Sequence, residues 1–473
     1  MENHKIYVAG RFIETPEILD VHNPFNNEIC GKTFLAGKKE LEIAIEKAVE
    51  LKPVMAKLSS WKKSAILFDI SQKIKENRQK MGEILSCEAA KPLKLALGEI
   101  DRAIQAFTVA SEEAKRLPKE YISIDWTPAG EGKEGLIKYF PVGVVAGIAP
   151  FNFPLNLAVH KIAPAIAAGN PIILKPARST PLSVLELARI IDQTDLPKGA
   201  FSVLPMNREA GNQLVVDERI SMLSFTGSSS VGWKMKADAG KKKIALELGG
   251  NAGVIVSDTA NIELAAAKCI MGGYAYSGQV CIHIQRIYVH EKIFDAFSEK
   301  FIEGVKKLKF GAPDNPETDV TAMIDEENAL RVESWINEAV SAGAKVLCGG
   351  KRNGTYVEPT LITNTKREMK VCSLEIFGPV VTLEKYSDFK NAVDMVNDSE
   401  YGLQAGVFTN KIDEMNYAFN HIEAGGIMIN EVPTFRVDHM PYGGVKNSGI
   451  GREGIKYAIH EMMEPKLMVR NVD

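Results

Sequence analysis

Cys281 closes the run Ser277-Gly278-Gln279-Val280-Cys281, a small-residue connection between a helical stretch, Ile262 to Tyr276, and a strand-like one, Ile284 to His290. A thiol on such a connection can face a substrate, although a cysteine taken alone is usually a small buried hydrophobe. Thiol chemistry on a carbonyl needs a donor for the oxyanion, a base for water, and an acceptor for what leaves. The chain offers a candidate for each. Asn152 carries the amide of the turn Pro150-Phe151-Asn152-Phe153-Pro154, where two prolines fix the backbone at the end of an apolar strand. Glu247 closes the strand-like Lys243 to Leu246 and opens onto Gly249-Gly250, whose missing side chains leave a carboxylate room to swing toward a water. Ser224 to Gly232 passes from a strand into a helix whose first turn holds Gly227 and Ser228, and free backbone N–H groups there suit a pyrophosphate. Each motif also has a plain reading: a turn asparagine, a surface glutamate, a serine helix cap.

Further pieces carry charge or aromatic surface. Lys175-Pro176-Ala177-Arg178 follows the apolar Pro171 to Leu174, so Lys175 and Arg178 emerge at a carboxyl strand end, where a nucleotide ribose or phosphate would meet them. Glu375-Ile376-Phe377-Gly378-Pro379 and Pro441-Tyr442-Gly443-Gly444-Val445-Lys446 each set an aromatic beside glycine, as a pocket wall or a loop anchor. The one literal G-x-G-x-x-G, Gly449 to Gly454, follows a loop rather than a strand, and no further βαβ unit follows it, so it is not taken as a dinucleotide fingerprint.

Elements must hold these residues in place. Between Val142 and Leu246 strand-like and helical runs alternate, the pattern of a doubly wound parallel sheet, which binds ligands at its carboxyl ends. A second alternating block runs from Val254 to Asn430, with a boundary near Gly249-Gly250. Helical periodicity from Lys39 to Leu117 predicts a layer covering a sheet. Ile6 to Phe12, turning at Gly10, predicts a hairpin. Tyr121 to Trp126 and Gly135 to Phe140 predict another, too short to bury itself and able to recruit Lys466 to Val472 as a third strand.

Composition excludes some classes. With 473 residues, 45% hydrophobic, the chain can bury a large core in two or three domains. With 57 basic against 60 acidic residues it has no footprint for nucleic acid or an anionic membrane. A polar start and the lack of a long apolar run predict a cytoplasmic protein. Six scattered cysteines, without a CxxC pair or a histidine cluster, predict neither a disulfide framework nor a metal site.

Together, and in this order along nearly the whole chain, these motifs resemble the aldehyde dehydrogenase superfamily. Gly278-Gln279-Val280-Cys281 and the run Phe435 to Pro441, continuing into Gly451-Arg452-Glu453-Gly454, are most similar to its lactaldehyde dehydrogenase-like members. The resemblance implies NAD(P)-dependent oxidation of an aldehyde to an acid through a thiohemiacetal and a thioester. Cys281 would be the nucleophile, Glu247 the base, and Asn152 with the Cys281 N–H the oxyanion hole. Lys175 and Glu375 would hold the two riboses of NAD or NADP, Phe377 would pack near the nicotinamide, and Gly227, Ser228 and Gly232 would lie along the pyrophosphate. It implies a Rossmann-like cofactor domain (1–121 and 139–249), an α/β catalytic domain (250–445) and a small β oligomerisation arm (122–138 and 446–473) in a homodimer or homotetramer. Two departures stand out: Arg178 replaces the glutamate of many NAD-preferring relatives, and Pro205-Met206-Asn207 lacks a glycine common there. A cysteine hydrolase using Cys281 with His283, and a catalytically silent scaffold, are the alternatives. Arg102, His160, His283 and Arg436 are polar candidates for selecting a hydroxylated or anionic aldehyde.

Overall fold

The computed structural model describes residues 3–472. Its first sheet runs in the order Arg11–Ile13, Ile6–Val8, Phe201–Val203, Ile172–Lys175, Val144–Ile148, Ile220–Thr226, Lys243–Glu247 and Gly449–Ile450. The five strands from Phe201–Val203 to Lys243–Glu247 are parallel, and the outer ones pair antiparallel. Because side chains alternate across a strand, Val144, Ala146 and Ile148 pack toward the helices Lys38–Lys57 and Arg208–Val216. Val145 packs on the other face, toward Ser60–Glu76, Leu93–Glu113, Pro154–Ala168 and Leu182–Asp192. Both faces are covered, which is why these strands read as continuous apolar runs.

From Val144–Ile148 the chain crosses first to Ile172–Lys175 on one side, and Ile220–Thr226 later takes the other side. The loop after Ile148 therefore leaves the sheet where strand order reverses, the crevice in which doubly wound sheets bind ligands. Asn152 lies in that loop.

The second sheet runs Lys345–Cys348, Thr360–Thr363, Val380–Tyr386, Ile284–His290, Ala252–Val256, Gln404–Phe408 and Gly426–Ile429, parallel but for the first pair. Helices Ile262–Tyr274 and Phe294–Lys306 cover one face, and Phe389–Asn397 and Ile412–His421 the other. A third sheet joins Met463–Asn471, Lys133–Pro141 and Lys119–Ser123 in antiparallel order. Only that last strand of the 446–473 segment lies in the arm; Gly449–Ile450 completes the first sheet, and Ile455–Glu461 packs on Pro154–Ala168.

Cys30 and Cys87 form a disulfide across 57 residues, which corrects the expectation drawn from their scatter. Sequence spacing carries no sign of it, because the strand Ile29–Phe34 and the helix Arg78–Ala89 meet only in the fold. The other four cysteines are free. Among the described residues no helix is long and apolar enough to cross a membrane, and no group of three or more His, Cys, Asp or Glu could hold a metal ion.

Candidate active site

Cys281 is placed by a strained turn. After the helix Ile262–Tyr274, residues Tyr276, Ser277 and Gly278 all adopt positive φ (50°, 53° and 69°). Such a run persists only where its surroundings hold it. Here Tyr276 Oη donates to Ala89 O at 2.9 Å and Ser277 Oγ to Thr321 O at 2.8 Å. Gly278 must be glycine, since a Cβ would sit 2.1 Å from Gly378 O. The Gln279 side chain accepts from Ile324 N–H at 2.9 Å, and its carbonyl accepts from Asn152 Nδ2 at 3.0 Å. The amide predicted for an oxyanion is thereby joined to the cysteine loop, with its second N–H not committed to that bond.

Asn152 is held from below. Its carbonyl accepts from Lys91 Nζ at 2.6 Å, and that ammonium also bonds Glu99 Oε2 at 2.5 Å beneath the rings of Phe153 and Tyr276. Glu99 Oε1 accepts from Leu155 N–H and Asn156 N–H, each at 3.0 Å, which caps the helix Pro154–Ala168. Breaking a buried pair of this kind strands a charge, so Lys91 and Glu99 fix where the asparagine sits. Sequence reasoning missed both: Lys91 stands in the short connection before Pro92 and Glu99 inside a helical pattern, and each reads as an ordinary surface charge.

Glu247 ends its strand buried, with Oε2 lacking any hydrogen-bond partner. Burial, and then the charge of Glu453, raise its carboxyl well above the usual range. Burial opposes the charge of Glu453 too, but Lys161 and Arg436 hold that carboxyl below the usual range. Two neighbouring carboxylates pushed apart in this way divide the work: one stays ionised, the other is free to exchange a proton. The glycines after Glu247 serve other groups. A Cβ on Gly249 would lie 2.3 Å from Glu375 Oε2 and one on Gly250 2.2 Å from Cys281 O, whereas it is a Cβ on Gly443 that would meet Glu247 Oε1, at 2.7 Å.

Cys281 Sγ is half-buried and lies 3.0 Å from Tyr442 Oη. Burial pushes the thiol up to about 11, against the pull of the Tyr442 hydroxyl and Arg436. His283 is buried two residues on, with Nε2 unpartnered and the ring lowered to about 4 by burial. The thiol's hydrogen bond goes to the tyrosine, so the cysteine–histidine pair of a hydrolase is not assembled.

A cavity of about 550 Å³ opens from Cys281 and Asn152 and is lined further by Gly227, Ser228, Glu375 and Phe377. The Ser228 side chain makes no cap hydrogen bond, so the first-turn N–H groups of the helix Ser229–Asp238 stay available to an anion. Glu375 Oε1 accepts from Gly250 N–H at 2.9 Å, and burial lifts its carboxyl to about 7 against that donor and Arg331. Phe377 takes a left-handed φ of 44° and meets Phe151 edge-on at 5.8 Å. Asn328, Arg331 and Trp335, spaced along one face of the helix Glu326–Ser341, line the same cavity and went unnoticed in the sequence. Gly232 packs on Leu248 outside the cavity. Lys175 is half-buried at its strand end and lowered by burial and then by Arg178, which is exposed and forms no ion pair among the described residues. Asn207 caps the helix Arg208–Val216 by accepting from Ala210 N–H at 3.0 Å, which accounts for a polar residue in that loop.

Behind the thiol runs a buried polar chain. Arg436 lies 3.6 Å over the Tyr442 ring and donates to Glu453 Oε2 at 3.0 Å; Lys161 bonds Glu453 Oε1 at 3.0 Å and Thr226 Oγ1 at 2.7 Å. His160 Nε2 meets Asp438 Oδ1 at 2.8 Å, and Arg102 donates to the same oxygen at 2.7 Å. Arg102 and Arg436 are thus both paired with carboxylates.

A thiol and an amide donor meet at one end of the cavity, at a strand-order switch point of a doubly wound sheet, where such folds bind their ligands. The aldehyde dehydrogenase family model matches residues 12–468, and the chain belongs to that family. It is 40% identical over 473 residues to a 3-sulfolactaldehyde dehydrogenase of Priestia aryabhattai, covering 100% of this chain and 99% of the relative. To a lactaldehyde dehydrogenase of Methanococcus aeolicus it is 39% identical over 98% and 100% of the two chains. Among solved structures, aldehyde dehydrogenase 21 of Physcomitrella patens, in complex with the reaction product succinate, superposes with a TM-score of 0.98 at 44% identity over 100% and 98% of the two chains. The chain is an NAD(P)-dependent aldehyde dehydrogenase.

Proposed function

We propose that Cys281, Asn152 and Glu247 carry the reaction, on a short hydroxy-aldehyde such as lactaldehyde. The observation that carries this reading is the meeting of a half-buried thiol and a tethered amide at one end of the cavity, with an unpartnered buried carboxylate whose charge acts on that thiol. Cys281 adds to the aldehyde carbon, and the Asn152 amide with the Cys281 N–H receives the developing oxyanion; one such donor is worth about 10² to 10³ in rate. NAD(P), when bound, supplies the hydride acceptor. Glu247 takes a proton from the water that cleaves the Cys281 thioester, a task matched to a carboxyl raised well above its usual range.

The cofactor residues fit by chemistry. Gly227 and Ser228 line the cavity just before a helix whose first-turn donors are uncapped, Gly232 packs behind them one turn on, Glu375 offers a carboxylate to ribose hydroxyls, Lys175 offers an ammonium, and Phe377 offers a ring face. Arg178, exposed and unpaired among the described residues, suits a 2′-phosphate, so NADP is accepted alongside NAD. Relatives named for lactaldehyde and 3-sulfolactaldehyde support the substrate class. Arg102 and Arg436 are each paired with a carboxylate, and the buried, unpartnered Nε of Arg436 is the donor left for a polar group of the aldehyde.

Residues 1–121 with 139–249 serve the cofactor and 250–445 catalysis; of the expected arm, 122–138 with 446–473, the third sheet takes Lys119–Ser123, Lys133–Pro141 and Met463–Asn471, while Gly449–Ile450 belongs to the first sheet. Trp126 is 86% exposed and Leu467, Met468 and Val469 are each about half exposed on the arm, surface that a second copy would cover in a homodimer or homotetramer. A cytoplasmic location suits the small-molecule chemistry. The test is a matrix of NAD and NADP against lactaldehyde, 3-sulfolactaldehyde and simple aldehydes, followed by absorbance of reduced cofactor. Lactaldehyde should give the highest kcat/KM; a clear preference for the sulfonate would reverse the substrate reading, and no reduction with any pair would remove the enzymatic one.

A further inference from the structure

The mechanism above leaves one contact unused: the hydrogen bond between Cys281 Sγ and Tyr442 Oη, at 3.0 Å. With a neutral thiol either atom can donate. With a thiolate only the phenol can, and the bond then becomes charge-assisted and stronger. The contact therefore discriminates between the protonation states of the reacting atom.

Three features hold the phenol to this task. Tyr442 is buried, so water does not readily replace its hydroxyl. Its backbone is clamped to Glu453 in both directions, Tyr442 N–H to Glu453 O at 3.0 Å and Glu453 N–H to Tyr442 O at 2.6 Å. The Arg436 guanidinium lies 3.6 Å over the ring and is fixed by Glu453, which Lys161 fixes in turn. A cation on a phenol ring draws electron density from the oxygen and makes the O–H a better donor. Space-filling alone would need only a phenylalanine.

We propose that Tyr442 is a further catalytic residue of this enzyme, donating a hydrogen bond from its hydroxyl to the Cys281 thiolate, with Arg436 behind the ring as the charge that strengthens the donor. The groups facing the sulfur act in both senses: Tyr442 and Arg436 favour the thiolate, while Glu375 and Glu247 oppose it. The opposing carboxylates and the burial of the site explain why a dedicated donor is needed. A donor also makes a thiolate less nucleophilic, so magnitudes must decide. With a Brønsted slope of about 0.4–0.5, each unit of lowered thiol pKa raises the thiolate fraction about tenfold and costs about threefold in intrinsic reactivity. While the thiol pKa lies above the working pH, the donor gains about threefold per unit.

The proposal rests on Cys281 being the nucleophile, and its test reads the thiol directly. Iodoacetamide alkylation of Cys281, located by peptide mass, would be followed against pH in the parent and in Tyr442→Phe, alongside the rate of the first turnover. The alkaline limb of the alkylation profile should move up by about one unit or more, a tenfold loss of thiolate at neutral pH, and the first turnover should slow about threefold. Placing 3-fluorotyrosine at 442 keeps the shape and makes a more acidic phenol, so the limb should move down. If neither replacement moves the limb by more than about 0.2 units, Tyr442 only fills space and the proposal is overturned. Separately, full alkylation of Cys281 without loss of aldehyde oxidation would sink the nucleophile assignment itself.

Discussion

The two sides of the catalytic cavity are built on opposite plans. On the cofactor side, helix-start donors stay uncapped, Glu375 sits near neutrality, and Arg178 reaches solvent without an ion pair among the described residues. On the reaction side most charges are matched: Lys91 with Glu99, Lys161 and Arg436 with Glu453, His160 and Arg102 with Asp438. Unmatched groups mark where a ligand will bring its own polar atoms, and matched ones mark where a position is to be kept. Glu247 is the exception on the reaction side, buried with an unpartnered oxygen, and exceptions of that kind are where proton transfer belongs.

If that contrast is right, changes on the reaction side should damage rate and spare cofactor affinity. Cys281→Ala should abolish aldehyde oxidation, by about 10³-fold or more, while NADP affinity measured by fluorescence titration stays within about twofold. Turnover above a few per cent of the parent would take Cys281 out of the nucleophile role. Asn152→Ala should lower kcat by about 10² to 10³. A change confined to KM would make the amide a substrate anchor instead.

Glu247→Gln should still deliver about one equivalent of reduced cofactor per site in a stopped-flow burst, then turn over about 10²-fold more slowly. Because the Glu247 carboxyl is raised, its basic form is populated only as pH climbs through that raised value. Thioester hydrolysis in the parent should therefore quicken with rising pH, and the mutant should lose this limb. Absence of the burst would move Glu247 to a step before hydride transfer.

The smallest effect belongs to the cofactor side. Arg178→Glu should raise the KM for NADP about tenfold, about 1.4 kcal/mol, and leave NAD nearly untouched. An unchanged ratio of kcat/KM for the two cofactors would place the 2′-phosphate contact elsewhere and blur the contrast between the two sides.

Much of this was legible before folding. The alternating runs from Val142 to Leu246 become the parallel core of the first sheet, because strands covered on both faces must be apolar throughout. Cys281, Asn152, Gly227, Ser228, Glu375 and Phe377 could be picked out because each stands beside glycine, proline or an element end, and the fold gathers them round one cavity. Lys91, Glu99, Lys161 and Glu453 could not, since a lysine or glutamate in a helical or loop pattern reads as a solvated charge. The role of Gly249 and Gly250 was misread for a related reason: a glycine says that something comes close, and only coordinates say that it is Glu375 and Cys281 rather than Glu247. The Cys30–Cys87 bridge was missed because its partners lie 57 residues apart.

The sequence by itself determined the layer pattern, the family and the residue types fit for thiol chemistry, because periodicity, turn residues and short motifs are local. Tertiary structure alone decided which charges are matched, where Arg436 lies over Tyr442, and which carboxylate is left buried without a partner. Those properties depend on burial and on distances between residues far apart in the chain, and burial sets the energy of a charge more strongly than its neighbours in sequence do.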